Sequence, residues 1–263
     1  MFPQLDKKGF QVVFHSHARA ILQVDFPEAA KELESVLAGM TIPIQEIIGS
    51  GGGETKGTQR LRRSLAAHHW KKVCFEIKKT INGTARESIS HEVDHVRTFK
   101  VDGEDKMIAL EIEWNNKDPF FDRDLENFKR LHAEGAISVG VIVTRGTSLQ
   151  ESMKELVGRF VADNNVRSFD DLERLDVIPT PKQKKAVIAR TTRGKNPVPF
   201  QDAWVDNFVS NKYGAATTHW KKLDDRVDRG VGNPCPLLLI GIPASVVAFD
   251  EDWQPEGTED DAE

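Results

Sequence analysis

The stretch that decides the fold is Met107–Arg145, and its centre is the run EIEWNNKDP at residues 111–119. Two glutamates, Glu111 and Glu113, follow the apolar run Met107–Leu110. Residues two apart on a β-strand project from one face, so the spacing predicts two carboxylates with Cβ atoms roughly 6–7 Å apart. Like charges this close favour a cation between them, although an amphipathic edge strand with two solvated glutamates fits the same pattern.

The residues after Pro119 predict a helix and then a second strand. Apolar residues recur there at helical spacing, namely at Phe121, Leu125, Phe128 and Leu131, and Gly135 ends the predicted helix. The β-branched run Ala136–Thr144 is typical of a buried strand. Strand, helix and strand together form a βαβ unit, which predicts a parallel strand pair in a parallel or mixed sheet. Carboxylates at a strand end of such a sheet are expected to face a crevice.

Carboxylates in such a crevice would suit a nuclease. Oxygen ligands hold Mg²⁺ with some of its waters, and the ion neutralises a phosphate and activates a bound water. A third carboxylate from an earlier segment is expected to complete the site, and Asp94 is the first candidate. Asp102 is the second, because the segment Asp102–Asp105 is typical of a polar hairpin turn whose acids are solvated.

The segment from His69 to Gly146 resembles type II restriction endonucleases of the BglII, BstYI and BamHI group, a branch of the PD-(D/E)XK nucleases. In that branch an Asp on one strand is followed by Glu-x-Gln or Glu-x-Glu on the next, and Asp94, Glu111 and Glu113 match those positions. Several further motifs match in the same order, namely Gly57-Thr58, His69-Trp70-Lys71, Asn116, Pro119-Phe120 and the run VIVTRG at residues 141–146.

The resemblance implies an α/β, restriction-endonuclease-like fold with a central mixed β-sheet flanked by helices. It implies a Mg²⁺-dependent enzyme that cuts double-stranded DNA at a short palindromic site, with Asp94, Glu111 and Glu113 as catalytic residues and metal ligands. A palindromic site requires two-fold symmetry, so a homodimer is expected, and a cognate DNA methyltransferase is expected in the same system. The usual catalytic Lys is replaced by Glu113, which leaves open whether this residue is a general base, a metal ligand or both.

Two alternative functions remain open at this point. The run His91-Glu92-Val93-Asp94-His95 spells H-E-x-x-H, which on a helix would place two histidines on one face as zinc ligands of a metallopeptidase. The segment is short and rich in Ser, Thr and β-branched residues, which favours a strand in which both histidines simply neighbour Asp94. The other alternative is a DNA-binding relative without catalytic activity, which the intact acidic triad disfavours.

Candidate DNA-binding residues follow the predicted strands and crowd one predicted helix. Asn115 and Asn116 come directly after the acidic strand, where an Asn can bond adenine bidentately. Arg145 follows the next strand and could contact a guanine or a phosphate. The remaining candidates are Thr147, Ser148, Gln150, Lys56, Arg60, His219 and Lys221.

Composition and charge fit a DNA-binding protein of the cytoplasm. The chain of 263 residues has a formal net charge of −5, but its acidic end, residues 250–263, carries eight acidic and no basic residues. Without that segment 36 basic residues face 33 acidic ones, a balance of +3. We therefore expect one endonuclease domain at residues 1–249 and a disordered acidic tail at 250–263. No apolar run has transmembrane length, so no membrane partner is expected.

Overall fold

The computed structural model describes residues 1–49, 55–192 and 197–250. The strands are β1 (Gln11–His15), β2 (Ile42–Pro43), β3 (Lys71–Ile81), β4 (Thr84–Val101), β5 (Glu104–Glu113), β6 (Val139–Arg145), β7 (Leu237–Ile242) and β8 (Val247–Ala248). The helices are α1 (Pro3–Lys8), α2 (Ala18–Val24), α3 (Pro27–Ala38), α4 (Ile44–Ile48), α5 (Lys56–Ala67), α6 (Phe120–Ala133), α7 (Thr147–Asp163), α8 (Phe169–Glu173), α9 (Pro181–Thr192), α10 (Phe200–Lys212) and α11 (Trp220–Val227). The predicted acidic tail beyond Asp250 lies outside the described residues.

Six strands form one mixed sheet in the order β1-β7-β6-β5-β4-β3. Strands β5, β6 and β7 run parallel, and the other neighbours in this sheet pair antiparallel. The short strands β2 and β8 form a separate parallel pair. The predicted fold class, a mixed sheet flanked by helices, is confirmed.

The βαβ unit predicted from the sequence is β5-α6-β6. Its register places Glu111 opposite Ile142 and Glu113 opposite Thr144 on β6. Because β5, β6 and β7 are parallel, their carboxyl ends meet at one edge of the sheet. The two glutamates therefore lie at the edge of the sheet from which the loops after these three strands leave.

Helices cover both faces of the sheet. Side chains alternate along each strand, so neighbouring residues pack against helices on opposite faces. Val141 packs with α7 and α10 in one hydrophobic cluster, and Ile142 packs with α6 and α11 in the other. Glu111 and Glu113 alternate with Ile112 and lie two and four residues beyond Ala109, which belongs to the cluster of α6 and α11. The two glutamates therefore share the face of the sheet that α6 covers.

The segment with the H-E-x-x-H motif lies inside strand β4. On a strand His91 and His95 do not form the helical pair that a zinc metallopeptidase needs. His91 is half-buried and its ring contacts Asn127 of α6, whereas His95 is buried and neither of its ring nitrogens has a hydrogen-bond partner among the described residues. The metallopeptidase interpretation is therefore wrong.

The antiparallel hairpin β3–β4 reaches past the rest of the sheet. Strand β4 pairs with β5 only from His95 to Val101, whereas its earlier residues pair with β3 alone. Both ends of β4 are two-residue turns with positive φ, at Asn82-Gly83 and at Asp102-Gly103, as expected for hairpins. The turn predicted at Asp102 is confirmed.

Across the described ranges we find no helix that is both long and apolar enough to cross a lipid bilayer.

The stretch from Pro181 to Pro199, rich in basic residues, begins as helix α9 and ends near α10. The helix shows that at least Pro181–Thr192 is regular structure.

The packing of α6 on the sheet generates the first prediction. Gly140 on β6 lies so close to α6 that an added Cβ would sit 2.5 Å from Cδ2 of Phe128. We expect Gly140→Ala to lower the free energy of unfolding by about 1–3 kcal/mol, because the ring has no space to retreat. Urea unfolding monitored by circular dichroism measures the change.

The matched control is Gly158→Ala in α7, where an added Cβ meets nothing within 4 Å. This substitution should leave stability unchanged or raise it by up to about 1 kcal/mol, since Ala favours the helix. Equal stability of the Gly140→Ala variant and the unsubstituted protein would contradict the close packing of α6.

Candidate active site

Three buried carboxylates meet where β5 ends and α6 passes over it. Glu111 and Glu113 at the end of β5 are each only 3% exposed, and Asp124 of α6 is fully buried. The imidazole of His91, on β4, completes a group with Glu111 and Asp124 whose possible ligand atoms all lie within 4.8 Å of one another. One strand end, one helix and one neighbouring strand thus contribute to a single cluster.

Asp94 lies at the rim of this cluster. The register pairs His95 with Leu110, and Asp94 and Glu111 are the next residues outward on the two strands. About half of the Asp94 side chain is exposed, and one of its oxygens is 3.7 Å from Nζ of Lys72. The structure thus brings Asp94 next to Glu111 but leaves it more solvated than the other acids.

Asp102, the alternative first acid, is placed far from the cluster. It lies in the turn that precedes β5, whereas Glu111 is near the end of that strand. At about 3.3 Å per residue, the two are separated by roughly 25 Å. Of the two candidates only Asp94 is near the glutamates.

The carboxylates make each other harder to ionise. Burial raises the pKa of Glu111 to about 9, and the charges of Asp124 and Asp94 act in the same direction. Burial is also the main cause that raises the pKa of Glu113 and of Asp124, and the charge of Asp124 raises the pKa of Glu113 further. A cluster with this many acids in a desolvated place is unfavourable unless positive charge compensates it.

Only part of that compensation comes from the protein. Arg123 Nε donates to Asp124 Oδ1 at 2.8 Å, and its Nη2 lies 3.6 Å from Glu113 Oε1. Asn116 Nδ2 donates to Glu113 Oε2 at 2.9 Å. Asp124 Oδ2 is buried and has no hydrogen-bond partner among the described residues.

The donor set fits a divalent cation. An oxygen that is buried and unpartnered, beside two more carboxylates, is the arrangement that a bound cation would satisfy. Asp94, Glu111, Glu113 and Asp124 supply hard oxygen ligands, and His91 offers one imidazole nitrogen. Burial, followed by the charge of Arg123, lowers the pKa of His91, which favours the neutral ring that a metal ligand requires.

Arg145 at the end of β6 is used inside the protein. It is fully buried; its Nε donates to Trp114 O at 2.7 Å and its Nη2 to Thr218 O at 2.6 Å. Nη1 donates to Gln150, and Nη2 also donates to Thr217 Oγ1 at 2.6 Å. The guanidinium therefore ties the segment before α11 to the residue that follows β5.

The other candidate DNA-binding residues differ widely in exposure. Asn116, Ser148 and Lys221 are exposed, whereas His219 is 8% exposed. Several of them already have protein partners: Gln150 Nε2 donates to Tyr213 O, and Arg60 Nη2 donates to Glu46 Oε2 at 2.8 Å. The candidates that are partly buried are Asn115, Thr147, Lys56, Arg60 and Gln150.

Asp124 and His91 are the members of the cluster that the sequence analysis missed. Asp124 has a signal in the sequence, because it interrupts the apolar stripe of α6 between Phe121 and Leu125. A charged residue on the inner face of an amphipathic helix requires a partner. His91 was considered only as a zinc ligand of the H-E-x-x-H motif, and nothing in the sequence connects it with Glu111.

The parallel strands of this mixed sheet end on buried carboxylates. This arrangement is the one expected of a metal-dependent hydrolase that acts on nucleic acids. Residues 10–242 match the family model described as restriction endonuclease BglII/BglIII. This match spans nearly the whole sequence, so the chain belongs to the BglII-like restriction endonuclease family. No curated protein matches the sequence significantly.

Membership of this family establishes the general activity. The protein is a type II, site-specific deoxyribonuclease that binds double-stranded DNA and hydrolyses its phosphodiester bonds. Restriction endonucleases of this kind use a divalent metal, and the cluster described above is a possible site for it. The predicted family and enzyme class are confirmed.

The electrostatics of Glu111 generate the second prediction. Its carboxyl has a raised pKa in the folded protein. The contribution of this carboxyl to the free energy of unfolding is therefore fully present below its ordinary pKa of 4.5 and is lost as the pH rises towards 9. Gln cannot ionise. In EDTA, the free energy of unfolding of Glu111→Gln should therefore exceed that of the unsubstituted protein by a margin that grows to about 1–3 kcal/mol between pH 5 and pH 9.

Urea unfolding at a series of pH values measures this margin. The matched control is Glu126→Gln on the same side of the site, where the side chain is half-exposed and pairs with Lys129 on the surface of α6. Because this side chain is outside the buried cluster, its substitution controls for the change from Glu to Gln itself. A flat margin for Glu111→Gln would show that this glutamate is not held in a desolvated, acidic cluster.

Proposed function

We propose that the protein cuts double-stranded DNA at a short palindromic site in a Mg²⁺-dependent reaction, with Asp94, Glu111 and Glu113 as its catalytic residues and metal ligands. The observation that carries the proposal is the placement of two buried glutamates at the end of β5, with Asp94 next to Glu111 on β4. Oxygen ligands at one strand end suit Mg²⁺, which prefers carboxylates and keeps several waters.

When bound, the cation would neutralise charge on the scissile phosphate and lower the pKa of a water for in-line attack. Glu111 and Asp94 would hold it from adjacent strands. Glu113 would take the proton of the attacking water, in addition to any ligand role. Asn116 fixes Glu113 by its hydrogen bond of 2.9 Å, so Asn116 orients the base.

Arg123 supplies the positive charge nearest to the reacting phosphate in this proposal. Its side chain is half-exposed, it lies 3.6 Å from Glu113, and it stacks on Phe120 with 4.4 Å between guanidinium carbon and ring centroid. The stacking directs the guanidinium along the rim of the site. A guanidinium in that position can approach a phosphate oxygen from the solvent side.

DNA would lie along the edge at which β5, β6 and β7 end. We propose that Asn115, Asn116, Ser148 and Lys221 reach it from the loops and from α11. Thr147, Gln150, His219 and Arg145 are held by the protein or buried, so they would support the DNA-contacting loops from behind. The bridge between Lys117 and Thr217 joins those loops directly.

Positive charge reaches Asp94 from the opposite side. Lys72 Nζ lies 2.9 Å from Glu92 and 3.7 Å from Asp94. Its pKa is raised chiefly by the hydrogen bond to Glu92, while the charge of Arg62 on α5 opposes this. Lys56 and Arg60 lie on the same helix, and we propose that α5 approaches the DNA backbone with these groups.

The proposal includes the assembly and the cellular setting. A palindromic duplex presents two equivalent strands, so two copies of the chain related by a two-fold axis would cut both. A cognate DNA methyltransferase would protect the host sites, and the enzyme would work in the cytoplasm, where that DNA lies. The acidic tail at 250–263 would be dispensable for cleavage by the domain at 1–249.

The third prediction tests the catalytic residues on plasmid DNA with Mg²⁺. The unsubstituted protein should produce discrete fragments, and Asp94→Ala or Glu111→Ala should abolish cleavage because the cation loses a ligand. If Glu113 accepts a proton, Glu113→Gln and Glu113→Ala should be about equally slow, by roughly 10²–10⁴-fold. Single-turnover cleavage rates on a cognate duplex give these numbers.

A much faster Glu113→Gln than Glu113→Ala would show that the residue orients water and takes no proton. Glu126→Gln serves as the control and should cleave at the unsubstituted rate. Full activity in Glu111→Ala would remove the assignment of the metal site. Smeared products from every plasmid would contradict cleavage at a specific site.

The fourth prediction concerns assembly. Analytical ultracentrifugation of the protein with a fluorescently labelled cognate duplex should give a complex of two chains per duplex, and Ca²⁺ in place of Mg²⁺ should prevent cleavage during the run. A duplex with half of the palindrome scrambled should bind more weakly. A complex of one chain per cognate duplex would contradict the homodimer.

A further inference from the structure

Part of the carboxylate cluster has no place in the triad proposed above. Asp124 and His91 lie on elements other than β5, and each contributes one possible ligand atom to a group with Glu111 in which all three atoms are within 4.8 Å. Asp124 is fully buried, and its Oδ2 has no hydrogen-bond partner among the described residues. A buried carboxylate oxygen without a partner carries a large free-energy cost unless something binds it.

We propose that His91, Glu111 and Asp124 form a second divalent-cation site, which shares Glu111 with the triad and prefers first-row transition-metal ions, for which Mn²⁺ is the probe, over Mg²⁺. The preference follows from the donors, because an imidazole nitrogen suits the transition metals, whereas Mg²⁺ favours oxygen alone. This inference rests on the proposed function and adds two ligands to it.

The helix α6 is built to present these donors. Asp124 and Asn127 are three residues apart and both are buried on the face towards the sheet. Asn127 Nδ2 lies 2.9 Å from Nδ1 and 3.0 Å from Nε2 of His91, so the amide of Asn127 contacts the ring from the helix that supplies the carboxylate. With the amide turned so that its oxygen accepts from one ring N–H, the other ring nitrogen would be left for the cation, as is typical of metal sites.

The surroundings leave the second oxygen of Asp124 available. Arg123 binds Oδ1 of Asp124, with its Nε at 2.8 Å and its Nη2 at 2.7 Å, and about half of the Arg123 side chain is exposed. The guanidinium thus covers the outer side of the carboxylate while Oδ2 remains inside.

The test is a titration of the metal-free protein with Mn²⁺, in which electron paramagnetic resonance measures the concentration of the free ion. Asp124→Asn and His91→Gln should each weaken one bound Mn²⁺ by at least about 10-fold. Asp94→Asn should leave that ion in place, because Asp94 belongs only to the triad. Glu126→Gln, the matched control on α6, should bind Mn²⁺ as the unsubstituted protein does.

A spectroscopic measurement identifies the nitrogen ligand. Pulsed electron paramagnetic resonance of bound Mn²⁺ should show the modulation of an imidazole nitrogen, and His91→Gln should remove it. Both variants are conservative in size, and circular dichroism with thermal unfolding confirms that they fold. Asp124→Asn should raise the melting temperature without metal, because it removes a buried charge, while losing the further rise that Mn²⁺ gives.

Unchanged Mn²⁺ affinity in both variants, or no Mn²⁺ bound by the unsubstituted protein, would overturn the second site. Loss of the ion without any nitrogen signal would overturn the role of His91 and with it the mixed donor set. Cleavage with Mg²⁺ separates this inference from the proposed function. If the enzyme cuts DNA with Mg²⁺ but the His91 and Asp124 variants bind Mn²⁺ with unchanged affinity, only the second site is contradicted. If Mn²⁺ binds at His91 but the protein cuts no DNA, the proposed function is contradicted instead.

Discussion

The repulsion between carboxylates in one desolvated place is the constraint on which the active edge depends. Glu111, Glu113 and Asp124 are held together by the fold, although burial disfavours the charged form of each. Arg123 and Asn116 offset part of this cost from one side. The fold therefore holds the carboxylates in place for a cation before the cation binds, and this arrangement lowers the free energy of unfolding of the metal-free protein. Stability given up at a functional site is a general property of enzymes.

The sheet was predictable because its signals are local. Apolar periodicity in α6 and the β-branched run of β6 are both legible within a few turns of chain, and together they define the parallel unit β5-α6-β6. The spacing of Glu111 and Glu113 predicts that both face one side of a strand, as they do. Which side that is depends on α6, whose distance from β6 is set by the missing side chain of Gly140.

The other half of the site was beyond local pattern. Asp124 could be suspected, because it interrupts an apolar stripe, but its partners come from β4 and β5. Arg145 was expected to contact DNA, since it ends a strand at the active edge. Its partners Thr217 and Thr218 lie more than seventy residues further along the chain, and no short-range pattern predicts that this segment returns to cover the guanidinium. Burial of a charged side chain depends on such distant contacts.

Strand β3 has a consequence of a different kind. It is the edge strand of the six-stranded sheet, eleven residues long, and it pairs with β4 alone along its whole length. An open strand edge of that length invites another strand to add to it. Lysines at 71, 72, 78 and 79, interleaved with Glu76, place charge along this ribbon, and charged side chains of this kind oppose pairing between edges. Continuous sheet formation between copies of the chain is thereby discouraged, so the protein can be concentrated on DNA without its sheets merging into aggregates.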